Sequence, residues 1–240
     1  MTERARWFHK QGGIITVSWH AVKTILPGGS NHAMYNIWLD RLVRFFRTWK
    51  DDEGKPIPFI FRPYHEHSRS FFWWGRTRCY DEDFAELWRY TVKYLRIKGL
   101  HNILCTYNTD KVYSQEDFLA GYPGDEYIDM LSIDWYGEGE DFNKNIDKAL
   151  KFTTDLAAER KKLHSLSECG PISADLQKIL AKYKSSYILT WRHAPPRGPV
   201  RTFTPPIWEI LSAKAKKRPF CCQDIETPLD NCGTSCDLFS

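Results

Sequence analysis

The chain repeats one pattern along most of its length. A short apolar run leads into a polar or aromatic cluster, and a helical stretch follows. Six such runs fall at 14–20 (IITVSWH), 57–65, 102–107 (NILCTY), 128–136 (IDMLSIDWY), 163–168 (LHSLSE) and 186–192 (SYILTWR). Apolar residues at helical spacing fill the intervals, at about 32–50, 83–98, 141–161 and 172–184, with a short helix near 114–119. A first helix is expected over 2–11 with Ala5, Trp7 and Phe8 as its apolar positions, and Asp81 or Asp83 is expected to cap the helix at 83–98. Strand and helix in strict alternation require an α/β fold with a parallel sheet.

The residues just after these runs carry the functional signal: His20, His65-Glu66, Tyr107-Asn108, Asp134 to Tyr136, Glu168 and Trp191-Arg192. In a parallel barrel the C-terminal ends of all strands open on one face, where active sites are built. The richest stretch is 57–75, IPFIFRPYHEHSRSFFWWG, an apolar strand that delivers His65, Glu66 and His67 and then Phe71, Phe72, Trp73, Trp74 and Gly75. A wall of aromatics suits the C–H faces of sugar rings, and a carboxylate beside it can move protons. Glu66 and Glu168 are the only glutamates at expected strand ends. Two carboxylates facing each other across a barrel mouth fit glycoside hydrolysis. Each feature also has a plainer reading: Glu66 as a solvated loop acid, the aromatics as core, His65 as a structural imidazole.

Composition closes off other classes. The 240 residues fit one barrel or two small domains, and 10 Trp with 12 Tyr fit a carbohydrate-facing cleft or an aromatic core. Net charge is +4 with Lys and Arg scattered among Asp and Glu, so no nucleic-acid stripe is expected. No apolar run reaches the roughly 18–20 residues of a membrane span. The start, MTERARWFHKQGG, has no apolar core of a signal peptide. Seven cysteines, four of them at Cys221, Cys222, Cys232 and Cys236, match neither a complete disulfide framework nor a zinc spacing, so no metal site is expected.

The segments VSWH (17–20), FRPYHEHS (61–68), FFWWG (71–75), YPGDEYID (122–129), SIDWY (132–136), LSECG (166–170) and LTWR (189–192) resemble, in order, the β-mannanases of glycoside hydrolase family 26, most closely those of gut and rumen Bacteroidetes. The resemblance covers roughly residues 5–195. It implies a (β/α)8 TIM barrel, a retaining endo-β-1,4-mannanase acting on mannan-type polysaccharide or manno-oligosaccharides, no metal or other cofactor, and a secreted, periplasmic or cell-surface location. It implies Glu66 as general acid/base and Glu168 as nucleophile. His20, His65, Phe71, Trp74, Tyr107, Tyr136, Trp191 and Arg192 are then expected to meet the sugar.

Four departures accompany it. If IITVSWH is the family's third strand, the first two are missing and the barrel is incomplete, with about six strands. The loop after His20 is short. Arg69 stands where the family has glycine, which predicts backbone strain and a cation that favours ionised Glu66. After residue 195 the resemblance stops, so the expected domains are a partial barrel over 1–195 and a divergent Cys- and Pro-rich tail over 196–240. A β-glucan or β-1,3-xylan hydrolase of the same family, an inactive carbohydrate-binding relic, and a metal protein built on the HEH histidines and the tail cysteines are the competing readings.

Overall fold

In the computed structural model the described residues are 2–13, 15–19 (backbone alone for 16–19), 25–69 and 71–191. His20 and the four residues that follow it, Arg192, and the tail with its four cysteines lie outside them. Six strands form one parallel sheet in chain order: β1 Thr16–Trp19, β2 Phe59–Pro63, β3 Ile103–Thr109, β4 Met130–Trp135, β5 Leu163–Cys169 and β6 Tyr187–Thr190. The helices are α1 Thr2–Lys10, α2 His32–Arg47, α3 Asp81–Ile97, α4 Gln115–Leu119, α5 Gly139–Glu159 and α6 Ala174–Leu180. Each strand pairs with its predecessor, as in a wound barrel, so the arrangement is an incomplete (β/α)8 barrel whose edges among the described residues are β1 and β6.

Two local expectations are corrected. Of the apolar residues assigned to the first helix only Ala5 is buried, while Trp7 and Phe8 are exposed. The 81–97 helix starts at Tyr80, whose side chain makes no capping bond. Asp81, Glu82 and Asp83 lie inside its first turn, where carboxylates complement the exposed N–H groups of the helix end.

The sheet has two different faces, set by the two-residue period of a strand. On β2, Phe59 and Phe61 face the helices, and Phe59 stacks on Phe46 of α2 with centroids 4.3 Å apart. Ile60 and Arg62 have the opposite parity. Ile60 joins Leu104, Met130, Leu163 and Tyr187 in a small apolar cluster at the inner floor. Two and four residues further on from Leu104 and Met130 stand Thr106 and Asn108, and Ser132 and Asp134, all fully buried. The inner face therefore runs from apolar at its floor to charged at the strands' C-terminal ends.

β5 reaches that charged layer by an irregularity. His164 and Leu166 face outward, His164 bonding Thr153 of α5 at 2.9 Å and Leu166 joining the outer core. Ser165 and Ser167 face inward, linked to each other at 2.9 Å and on to Tyr187 at 2.9 Å. By simple alternation Glu168 would point out with His164 and Leu166. The pairing instead steps from Ile133↔Leu166 to Asp134↔Glu168, leaving Ser167 as an extra residue, and the same extra step appears against β6. A bulge of this kind re-aims the side chain that follows it. Here it turns Glu168 inward.

Deleting Ser167 is therefore expected to remove the bulge and leave Glu168 next to Leu166, inward by simple alternation and still opposite Asp134. Arg62 then keeps its partner, and unfolding by urea should show a loss smaller than the about 3–5 kcal/mol of a broken buried charge cluster. A loss on that scale would contradict this account of the bulge.

Candidate active site

β2 ends at Pro63, and the chain then turns through two non-glycine residues in the left-handed region, Tyr64 at φ 52° and Glu66 at φ 56°. Each costs about 1–2 kcal/mol. Such strain persists only where the surroundings over-determine it. The Tyr64 hydroxyl is buried against Tyr35 Oη and lies 2.8 Å from Thr91 Oγ1. Trp74 Nε1 donates to the His65 carbonyl at 2.8 Å, and the Glu66 N–H donates to the Asn108 carbonyl at 3.0 Å. His67 stacks on Phe84 and has its Nε2 2.8 Å from Tyr107 Oη. The turn is thus bolted to α3 and β3, and Glu66 projects from it over the strand ends.

Arg62 is the hub beneath it. Its Nη1 donates to Glu168 Oε1 at 3.1 Å, and its Nη2 donates to Asn108 Oδ1 at 2.7 Å and Asp134 Oδ2 at 2.8 Å. Asn108 Nδ2 donates to Asp134 Oδ1 at 3.1 Å, and the Tyr136 hydroxyl donates to Glu168 Oε2 at 2.8 Å. Both oxygens of Glu168 are therefore fixed by donors. Glu66, Asp134 and Glu168 each place a carboxyl oxygen within 4.8 Å of the others. A cation binding these three would compete with the guanidinium that already donates to two of them.

The protonation pattern follows from burial. Burial works against charge on Arg62, but Asp134 and Glu168 outweigh it and hold the guanidinium protonated. Burial pushes Glu66 up to about 7, helped by the charges of Asp110 and Glu168 and opposed by Arg62. Burial also raises Asp134 well above the ordinary carboxylate range despite Arg62. Glu66 and Asp134 bring carboxyl oxygens within 4.8 Å of each other, so the charge on one opposes ionisation of the other. Burial and the bond to Glu168 raise Tyr136, keeping it a phenol that can donate.

Glu66, Glu168 and Tyr136 thus meet at one point. His65 lies beside them, nearly buried, its ring 4.8 Å from that of Phe72. Phe71 is 81 % exposed on the rim, and Trp191 follows β6, 48 % exposed, its N–H bonded to the Cys169 carbonyl at 3.0 Å. Two expected sugar contacts are corrected. Trp74 is buried beneath Phe72, which stacks on it at 4.4 Å, and Tyr107 is buried against His67 and Phe118. Both brace the turn from behind and present no surface to a ligand. The four aromatics therefore form layers, with only the first fully outside. The HEH imidazoles do not converge on a metal: burial lowers His67 to about 4, and it points into the outer core.

Arg69 also departs from expectation. Its backbone is outside the left-handed region, and its guanidinium pairs with Asp110 at 3.1 Å. Glu66 remains raised. The residues that sequence reasoning passed over are Arg62, Asn108 and Asp134 as a unit. The available signal was an arginine inside the apolar run IPFIFRP, since a buried charge must have partners.

A parallel barrel face that sets two glutamates opposite one another, one raised and one fully hydrogen-bonded, defines the glycosidase class of α/β barrel. The chain belongs to glycosyl hydrolase family 26, whose profile matches residues 22–197. It is 34% identical over 184 residues to a mannan endo-1,4-beta-mannosidase of Bifidobacterium adolescentis, covering 67% of this chain and 18% of that protein. It is 27% identical over 217 residues to a mannan endo-1,4-beta-mannosidase of Bacillus subtilis, covering 77% of this chain and 57% of that one. The chain thus spans well under two thirds of the length of these two relatives. Among solved structures it is similar to a family 26 β-mannanase of Bacteroides ovatus, with TM-score 0.77, 31% identity, and 90% of this chain and 70% of that one covered.

The raised Glu66 has a consequence for stability. Its folded value of about 7 lies above the ordinary glutamate range, so between about pH 4.3 and 7 the native state binds more protons than the unfolded chain. Its contribution is present at low pH and is lost as pH rises through about 7. Glu66→Gln, which cannot ionise, should gain stability relative to the parent between pH 5 and pH 8. Urea unfolding across that range tests it, and a constant difference would contradict the assignment.

Proposed function

We propose that this chain carries the catalytic machinery of a retaining endo-β-1,4-mannanase. The observation that supports the reading most directly is the pairing of Glu66 and Glu168. Their nearest oxygens lie within 4.8 Å, on the side of the ~5–5.5 Å spacing of retaining enzymes and short of the ~6.5–9.5 Å that leaves room for water in inverting ones.

On this reading Glu168 attacks the anomeric carbon of the mannose bound at the cleavage point while Glu66 gives its proton to the departing glycosidic oxygen. A covalent mannosyl ester forms, and the shortened chain leaves with a hydroxyl. Glu66, now a carboxylate, takes a proton from water as that water displaces Glu168, which restores both groups. Glu66 pushed up to about 7 suits this double duty, because an acid near the operating pH gives and regains a proton with little penalty. Tyr136 and Arg62 hold the two oxygens of Glu168 so that it meets the carbon in one orientation. Phe71 and Trp191 offer exposed aromatic faces at the rim, and His65 stands beside the acid. His20 and Arg192 belong to the proposal by sequence.

Mannan is a polymer that a cell meets at or beyond its surface, so we place the activity there. Among the described residues no helix is long and apolar enough to cross a membrane. The barrel over 1–195 is proposed as the working unit, with 196–240 as an appendage to it.

Reducing-sugar release from galactomannan, with mixed-linkage β-glucan and β-1,3-xylan in parallel, tests the reading. Cleavage should be confined to the mannan and should fall by about 10⁴-fold or more in Glu168→Ala, the scale for losing a group that acts as part of a catalytic unit. Tyr136→Phe should keep the fold and lose about 10–100-fold in kcat, as removal of one orienting hydrogen bond does. Equal cleavage of glucan, or full activity in Glu168→Ala, would overturn the proposal.

A further inference from the structure

We propose that Asp110 is a positioning residue for the proton chemistry of Glu66, and that Arg69 sets how strongly it acts. This rests on the reading of Glu66 as the acid/base and adds a residue to it.

The geometry ties the two loops into one unit. The Glu66 N–H donates to the Asn108 carbonyl at 3.0 Å, and two residues further along each loop the Asp110 N–H donates to Ser68 Oγ at 3.0 Å. Arg69 then closes the unit by pairing with Asp110 at 3.1 Å. Asp110 Oδ1 also accepts from the Lys111 N–H at 2.6 Å, so its carboxylate is held in place by its own loop. The loop after β3 thereby delivers a fixed negative charge beside the turn that carries Glu66.

Every charged or titratable element around Glu66 enters the balance: Arg62 from β2, Asp110 from the loop after β3, Asp134 and Tyr136 from β4 and its end, Glu168 from β5, and Arg69, His65 and His67 from its own turn. The charges of two of these neighbours are partly offset. Arg62 is within 3.1 Å of both Asp134 and Glu168, and its side chain is only 3 % exposed, so its one positive charge acts on them in a place that water does not screen. Asp110 has no buried counter-ion of this kind, because its partner Arg69 is 44 % exposed and its cation is shared with solvent. Among the charges around Glu66, Asp110 accordingly pushes the carboxyl upward most after burial itself. A like charge disfavours ionisation, so Asp110 helps keep the proton on Glu66 until the glycosidic oxygen takes it. Arg69 works the other way by drawing on the Asp110 charge. The pair forms an adjustable counterweight at the rim, outside the groups that touch the reacting bond.

The test is a 13C NMR titration of the full chain labelled at glutamate Cδ, with the Glu66 signal assigned by its loss in Glu66→Gln. Asp110→Asn should lower the Glu66 midpoint by about half a pH unit or more, and Asp110→Glu should return it towards the parent value. Arg69→Ala should raise it. The high-pH limb of kcat/KM on galactomannan should move in the same order, which a merely structural role would not produce. If Asp110→Asn does not fold, Arg69→Ala at the exposed end decides, and a midpoint unmoved or lowered in that variant overturns the proposal. An unmoved midpoint in Asp110→Asn does the same. The acid/base reading fails separately, by full galactomannan hydrolysis in Glu66→Gln, whatever the titration shows.

Discussion

One buried guanidinium holds the upper part of this barrel together. Arg62 sits on β2 and reaches Asn108 on β3, Asp134 on β4 and Glu168 on β5, so a single side chain spans four consecutive strands. Taking it out of water is costly, and the cost is offset by three acceptors around its two terminal nitrogens, while Nε is left without a hydrogen-bond partner. Arginine suits this task where lysine does not, since the fork fixes the carboxylates in angle as well as distance. The same requirement explains the polar inner face above an apolar floor, and why the bulge at Ser167 matters. Were Ser167 paired in simple alternation and not bulged, Glu168 would face the helices and the guanidinium would lose an acceptor.

From this hub the two glutamates acquire different characters. Glu168 receives donors on both oxygens from rigid neighbours and is held still. Glu66 rides above on a strained turn, with Tyr64 and Glu66 both left-handed, and a carboxyl oxygen of Asp134 lies within 4.8 Å of one of its own. Environments that push paired carboxyls apart in acidity are how one site gains both an acid and a nucleophile at one pH. The aromatic segment after the turn serves two ends: Trp74 and Phe72 clamp the His65 carbonyl and ring from behind, while Phe71 remains at the rim.

The architecture was legible because each strand is apolar and each helix amphipathic, and because the charged residues follow the strands in register. The six strands and their parallel order follow from that alternation. What escaped sequence reading depended on three-dimensional closure. Trp74 and Tyr107 look like ligand contacts because they flank catalytic-type residues, yet burial assigns them to the scaffold. The inward turn of Glu168 depends on a bulge, and nothing in LHSLSEC marks Ser167 as the unpaired residue. Arg69 was read as a cation beside the acid, and its engagement by Asp110 from a loop 41 positions along the chain could not be seen from local sequence. Arg62 stands in plain view inside an apolar run, and counting the partners a buried charge demands would have tied it to Asn108 and Asp134, which the strand-end pattern already offers.

The central claim is that Glu168 and Glu66 act in two successive displacements on a site fixed by Arg62. The stereochemistry of the first product tests that most directly. Proton NMR of manno-oligosaccharide cleavage, followed from the earliest times, should show the new reducing end appear as the β-anomer and only later equilibrate with the α-anomer. An α-anomer formed first would mean direct attack by water, and the account of two displacements through Glu168 would be wrong.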